Sequence, residues 1–240
     1  MTRTNELGQP VGALLPAGWT PPPRPIRVTM QGRLVRLEPL VVAHADALHE
    51  ANMQGADGRN WTYMAYGPFD TAEAYAHWVG EMTRDGDPMF YAIVRQDGGV
   101  PVGVASYLRI APASGSIEVG HINYSPLLQR MPGATEAMYL MMKWAFEVGY
   151  RRYEWKCDAL NAPSRRAALR LGLSYEGTFR QATVTKGRNR DSAWYAAIDS
   201  EWPTLKAAFE TWLDPANFDA QGRQRQSLSA LTRPILKTIG

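Results

Sequence analysis

The sequence predicts a mixed α/β fold, α+β in arrangement, with a mostly antiparallel central sheet of about seven strands flanked by helices. Three observations predict it. Two pairs of β-rich runs meet at glycine-containing turns, one at Asp97-Gly98-Gly99 and one within residues 186–191, which is the short-range signature of hairpins and so of antiparallel pairing. Between them a strand, a loop, a long apolar helix and a further strand follow in succession, and two such strands must lie parallel. Finally, 240 residues that are 45% hydrophobic and 20% charged suffice for one large domain with tails, or at most two small ones, and for a substantial core either way.

Taken in order, residues 1–29 hold six of the 17 prolines with little apolar periodicity, which predicts an extended arm able to wrap the domain or a partner. Residues 33–39 alternate as Leu34, Val35, Arg36, Leu37 and Glu38, a half-buried first strand, and a helix over 42–53 should follow. Residues 60–69, Asn-Trp-Thr-Tyr-Met-Ala-Tyr-Gly-Pro-Phe, form a loop dense in rings, which either packs onto the core or lines a substrate pocket; burial is the simpler reading. Asp70-Thr71-Ala72-Glu73 reads as a capping box opening a helix that runs to about residue 84. Strands are predicted over 90–95, 100–110 and 116–124. A helix then runs to about residue 147 and ends at Gly149. Its Met138, Leu140, Met141, Trp144, Phe146 and Val148 make it apolar on most sides, as a buried crossover must be. Strand 152–158 completes the parallel unit. A short helix over 161–171 begins near Pro163 and stops at Gly172, strands 178–185 and 192–199 form the second hairpin, and a helix over 202–213 closes the domain. From Asp214 onward little is available for a core. The expected division is therefore an arm over 1–29, a domain over 30–213 and a basic tail over 214–240.

Charge and cysteine usage exclude several functions. The net charge is +3, but residues 1–29 carry Arg3, Arg24 and Arg27 against Glu6, and residues 220–240 carry Arg223, Arg225, Arg233 and Lys237 with no acid. The surplus lies in the tails and the middle of the chain is net negative, so a basic nucleic-acid-binding face is not expected in the folded domain. One cysteine, Cys157, rules out an internal disulfide framework, and with four scattered histidines a structural metal site is not expected either. No long uncharged apolar run and no signal-like N-terminal segment is seen, which points away from membranes and toward a reducing cytoplasm. A homodimer is left open.

The stretch of chemical interest joins strand 116–124 to the long helix: Gln129, Arg130, Met131, Pro132, Gly133, Ala134, Thr135, Glu136, Ala137. The first N–H groups of a helix lack partners inside it and sit at the positive end of the aligned peptide dipoles, so an anion such as a phosphate satisfies both. An ordinary strand-to-helix loop is the alternative. A nucleotide-hydrolase phosphate loop is a distant third reading, because Gly-Lys-Ser/Thr is missing.

Several motifs then agree in order: Glu118-Val119-Gly120 in a strand, the loop just named, Asn161-Ala162-Pro163-Ser164-Arg165-Arg166, Leu171-Gly172-Leu173 and Glu176-Gly177. Over residues 33–200 the chain thereby resembles the GNAT superfamily of N-acetyltransferases, in its RimJ/RimL-like branch that acetylates ribosomal-protein N-termini and assorted small amines. The resemblance implies a GNAT-like acyl-CoA N-acyltransferase fold with splayed parallel fourth and fifth strands, 116–124 and 152–158, that admit the pantetheine arm of acetyl-CoA. It implies that amides of Gln129, Arg130, Met131, Gly133 and Ala134, with Thr135 beside them, hold the pyrophosphate. Asn161 and Ser164 would face the thioester, N–H groups of Ile122, Asn123 and Tyr124 would polarise its carbonyl, and Arg165, with Arg130 and Arg166, would meet CoA phosphates. One departure stands out: the family's fourth loop position is glycine and here is Pro132, which has no N–H to give.

The reaction so implied is direct attack of a primary amine on the acetyl thioester, with no metal. Deprotonating an α-amine of pKa about 7.7–8.0 at pH 7 costs roughly 1 kcal/mol, whereas a lysine-type amine near 10.4 costs roughly 4.6 kcal/mol. Glu118 is the candidate base, or else a structural carboxylate of the strand. The tyrosine that related enzymes place three residues before the Leu-Gly pair is here Ala168, so Ser164 is the candidate partner of the leaving sulfur, or else only a helix-capping residue. Cys157 lies on a buried strand and is not expected to be a nucleophile. A non-catalytic acyl-CoA-binding module is the alternative function.

Overall fold

A computed structural model describes residues 3–55 and 57–240. Among residues 3–29 the regular structure is a two-stranded ribbon of β1 (Arg3–Thr4) and β2 (Pro10–Val11). The arm is laid along the domain by its polar groups. Arg27 donates to the carbonyls of Thr83 and Asp85, Arg24 to that of Ile110, and the hydroxyls of Tyr91 and Tyr150 donate back to Ile26 and Pro23.

The domain opens with β3 (Met30–Gln31) and β4 (Val35–Pro39), then α1 (Ala45–Met53) and α2 (Ala72–Met82). The cap of α2 is Thr71, whose hydroxyl accepts from the Ala74 N–H at 3.2 Å, one residue beyond the expected Asp70. A hydroxyl at Ncap satisfies the orphan donor as well as a carboxylate does. Next come β5 (Met89–Arg95), β6 (Pro101–Ala111), β7 (Ser116–Tyr124), α3 (Pro132–Glu147) and β8 (Arg152–Asp158). Then α4 (Ala162–Arg170) leads to β9 (Ser174–Thr185) and β10 (Arg188–Ile198), joined by the tight turn Lys186-Gly187. Both turn residues have positive φ, 49° and 72°, the geometry that matches strand twist in a two-residue hairpin; the hairpin is therefore longer, and its loop shorter, than the sequence pattern suggests.

Eight strands form one sheet in the order β3-β4-β5-β6-β7-β8-β10-β9, one more than expected because two-residue β3 pairs with β4. Every pairing is antiparallel except β7 with β8. Period-two alternation along β5 sends Tyr91 and Ile93 to one face and Phe90, Ala92 and Val94 to the other. The first face packs under α3 and α5 (Trp202–Leu213), with Met138, Met141 and Phe209. The second packs under α1 and α2, with Leu48, Trp78 and Val79.

After α5 the chain does contribute to the core, against expectation: α6 (Leu228–Thr232) buries Leu228 and Thr232, and Ile235 follows. The apolar residues there are too few and too short-ranged to show a helical period. The Thr232 hydroxyl donates to the carbonyl of Arg170 at 3.0 Å, tying this segment to the end of α4.

Candidate active site

The parallel pair is short. Its register runs from Ser116 opposite Arg152 to Val119 opposite Trp155 and stops, so residues 120–124 of β7 have no partner on the β8 side. Just there the β6–β7 ladder is also irregular: Val104 faces Asn123 and Ser106 faces Gly120, two residues of β7 against one of β6. Such a bulge bends the strand and re-aims a side chain. His121, at φ 51°, is the residue re-aimed. A second irregularity, between Leu108 and Ala111, puts Arg109 at φ 46°.

Both face a cavity of about 500 Å³, of ordinary ligand-pocket size. Its walls come from β7 and β8, the first turn of α4, residues 63–65 of the aromatic loop and the β9–β10 hairpin. The aromatic loop does pack onto the core: Trp61 is buried and its ring meets Phe69 edge-on at 5.4 Å. It also lines the cavity, so both readings of that loop hold. Lys186, at the hairpin tip, donates to the carbonyls of Trp61 (2.8 Å) and Gly67 (2.7 Å), clasping hairpin and loop together.

Of the residues singled out from the sequence, Glu118, Ile122, Asn161 and Ser164 all line this cavity. Glu118 is 3% exposed and heavily engaged: Arg109 donates to both of its oxygens (2.9 and 2.8 Å), and Lys156 lies 2.9 Å from Oε2. Lys156 also pairs with Glu154 at 2.8 Å and covers the Trp194 ring at 3.7 Å. Asn161 is the N-cap of α4, its side chain accepting from the Ser164 N–H at 3.1 Å. The Ser164 hydroxyl accepts from the Trp155 indole at 3.0 Å. That bond takes one of its two lone pairs and leaves its own proton to donate, with the Cys157 sulfur beside it as one acceptor. Burial pushes the Cys157 thiol up, only partly offset by the Ser164 hydroxyl beside it, which leaves it a poor nucleophile at neutral pH.

The remaining residues form a second locus at the start of α3, coupled to the first through Tyr124. The Tyr124 carbonyl accepts from the Gln129 side chain (2.9 Å) and from Asn60 (3.0 Å), and its hydroxyl donates to the carbonyl of Ala134 at 3.4 Å. Within the loop the N–H groups of Gln129, Met131 and Ala134 are already given to Ser125, Leu128 and Met131 carbonyls. Among the described residues those of Arg130 and Gly133 have no backbone acceptor. Pro132 is the first residue of α3, where a missing N–H costs nothing. Gly133 is needed for packing: a Cβ there would come within 2.9 Å of Val35 Cγ1, so the helix start lies directly on β4.

Arg130 is exposed and makes no side-chain bond among the described residues, whereas Arg165 is committed to the Tyr195 hydroxyl at 3.0 Å. Thr135 accepts from Arg170 at 2.9 Å. The Asn123 side chain is buried with both polar atoms unpartnered among the described residues, as is the Ser125 hydroxyl. A strand edge without ladder partners, two free loop N–H groups and an exposed arginine together suit a ligand that carries amides and phosphates. No cluster of three or more His, Cys, Asp or Glu able to hold a metal ion occurs among the described residues.

Sequence reasoning passed over His121. Its ring stacks on Tyr66 at 5.7 Å and Nδ1 is 3.1 Å from the Tyr66 hydroxyl. Burial, then the charges of Arg109 and Arg190, lower its pKa to about 4. Burial keeps the Tyr66 phenol protonated, so the arrangement that satisfies both groups has Tyr66 donating to Nδ1 and the proton of the neutral imidazole on Nε2. The only sequence signal was a histidine after a glycine in a strand, and the bulge that aims it is a tertiary feature. With a folded pKa near 4 and an unfolded one near 6.5, stability is complete above pH 6.5 and falls as the pH drops, by about 3 kcal/mol at pH 4. Denaturant titrations from pH 7 to 4 should show this loss flattened in His121→Gln.

A family model described as an acetyltransferase (GNAT) domain matches residues 34–174. The solved structure of a GCN5-related N-acetyltransferase from Brucella melitensis is 44% identical, covers 90% of this chain and 99% of its own, and superposes with a TM-score of 0.88. A probable GNAT-family acetyltransferase from Chromobacterium violaceum is 39% identical over 80% of this chain and 97% of its own, TM-score 0.75. More distant is a Vibrio cholerae protein provisionally named a ribosomal-protein-serine acetyltransferase, 16% identical over 75% of this chain and 99% of its own, TM-score 0.62. A comparison with curated protein sequences gives no match. The chain belongs to the GNAT acetyltransferase family, whose members transfer acetyl groups from acetyl-CoA.

Proposed function

We propose that the protein is an acetyl-CoA-dependent N-acetyltransferase acting on a primary amine, in the RimJ/RimL-like branch. The observation that carries this is the opening of β7 from β8 beyond Val119, directly between the cavity and the free N–H groups at the start of α3. Acetyl-CoA, when bound, supplies the thioester. Arg130 and the Arg130 and Gly133 N–H groups would hold its phosphates, and the unpaired β7 edge at Ile122, Asn123 and Tyr124 would meet the pantetheine amides and thioester oxygen. The His121 Nε2–H is a further neutral donor facing the cavity. Residues 30–213 carry this chemistry, with 1–29 as a wrapping arm and 214–240 as a segment that braces α4.

The amine loses its proton at a cost of roughly 1 kcal/mol if it is an α-amine, so no strong base is needed. Glu118 enters as a carboxylate that positions Lys156 and Arg109, since each of its oxygens already accepts from a cation. Asp158 is the cavity's other carboxylate; its Oδ1 accepts from the Leu160 N–H, and Oδ2 has no partner among the described residues. We assign Asp158, through water, as the group that receives the proton. Ser164, with one lone pair taken by Trp155, directs its hydroxyl proton to the leaving sulfur. A thiol of pKa about 8.5 leaves readily, so Ser164→Ala should slow kcat by about tenfold while CoA affinity holds. Thiol release with acetyl-CoA and a panel of amino acids, peptides, polyamines and aminoglycosides tests the proposal; absence of amine-dependent release from protein that CoA stabilises in a thermal shift would leave only an acyl-CoA-binding module.

A further inference from the structure

The cavity holds three cationic and two anionic side chains: Arg109, Lys156 and Arg190 against Glu118 and Asp158. Arg109 and Lys156 are spent on Glu118. Arg190 is not spent. Among the described residues its guanidinium makes no ion pair and no hydrogen bond, and its Nε is buried without a partner, a costly state for a group with five donors in a fixed fork. The β8–β10 register puts Ser192 opposite Asp158, so Arg190, two residues earlier, lies diagonally from Asp158 on the same sheet face. The two are nevertheless more than an ion-pair distance apart. One cavity therefore presents a free cation and a free carboxylate oxygen on one sheet face, and the Arg190 charge is felt at His121 in the same space.

We propose that the acceptor carries a carboxylate beside its amine, as an amino acid or a related amino-carboxylate does, and that Arg190 binds that carboxylate while the amine lies toward Asp158. A guanidinium matches a carboxylate in two parallel hydrogen bonds, which relieves the orphaned Nε. Polyamines and aminoglycosides lack the group Arg190 awaits. The word acceptor rests on the transferase reading above; the carboxylate site does not.

The test is binding to the CoA-loaded protein, by ligand-observed NMR, of the twenty common amino acids, each paired with its α-amide. At least one acid is expected to bind tenfold or more tightly than its amide, with Arg190→Gln erasing that gap, Arg190→Lys restoring part of it, and the CoA-induced thermal shift the same in all three proteins. Equal or tighter binding of the amides, a gap that survives Arg190→Gln, or no binding by any amino acid overturns the inference. An amino acid that binds in an Arg190-dependent way yet is never acetylated would instead overturn the transferase reading and leave the carboxylate site standing.

Discussion

Glu136→Ala is expected to lower the unfolding free energy by about 5 kcal/mol and the melting temperature by about 10–20 °C. Glu136 is 5% exposed and accepts three backbone N–H groups of the β3–β4 turn: Arg33 at 3.0 Å, Leu34 at 2.6 Å and Val35 at 2.8 Å. Hydrogen bonds to a charged group are each worth about 1.5–3 kcal/mol, and removing the acceptor leaves partly buried donors with nothing in its place. The fit is close, since a Cβ on Gly32 would come within 2.6 Å of the Glu136 Oε2. Glu136→Gln should fall between wild type and Ala, because one amide oxygen still serves Leu34 and Val35 while the amide nitrogen faces Arg33 as donor against donor. Because these bonds fix the first turn of α3 against β4, CoA affinity should fall together with stability. Thermal unfolding with and without CoA reads both, and a melting point within about 3 °C of wild type would remove Glu136 as the pin of this junction.

That pin also marks where the sequence stops being legible. Ser116–Tyr124, Arg152–Asp158 and Trp202–Leu213 carry strong local periods, and those strands and that helix form with the expected bounds. Glu136 gave no such signal, because its partners lie 101 to 103 residues away and a carboxylate in a helix looks the same whether solvated or buried. The loop at 129–134 was recognisable by residue type, but which of its amides are free depends on turns closed by Ser125 and Leu128, set by three-dimensional geometry. Glu118, Ile122, Asn161 and Ser164 were legible because they sit at motif positions on regular elements. His121 and Arg190 were not: one needs a bulge to aim it, and the other matters because of what fails to pair with it.

Glu118→Gln tests whether a buried carboxylate works by taking a proton or by holding two cations. The loss of stability should be about 3–5 kcal/mol, the range for removing one partner of a buried ion pair. It should lie near the lower end, because the Arg109 side chain is largely exposed and Lys156, 9% exposed, keeps Glu154 and the Trp194 ring. If the cost is that of stranding the Lys156 ammonium, removing that charge as well should relieve it, so Glu118→Gln/Lys156→Met should be more stable than Glu118→Gln alone. For turnover, kcat should fall because Arg109 and Lys156 border the cavity and would shift, but the acid limb of kcat/KM against pH should persist, as the proton goes elsewhere. Loss of that limb in Glu118→Gln with stability unchanged would return Glu118 to the role of general base. Persistence of the limb there, with its loss in Asp158→Asn, is the pattern expected of a site whose two carboxylates have been assigned different work by the cations around them.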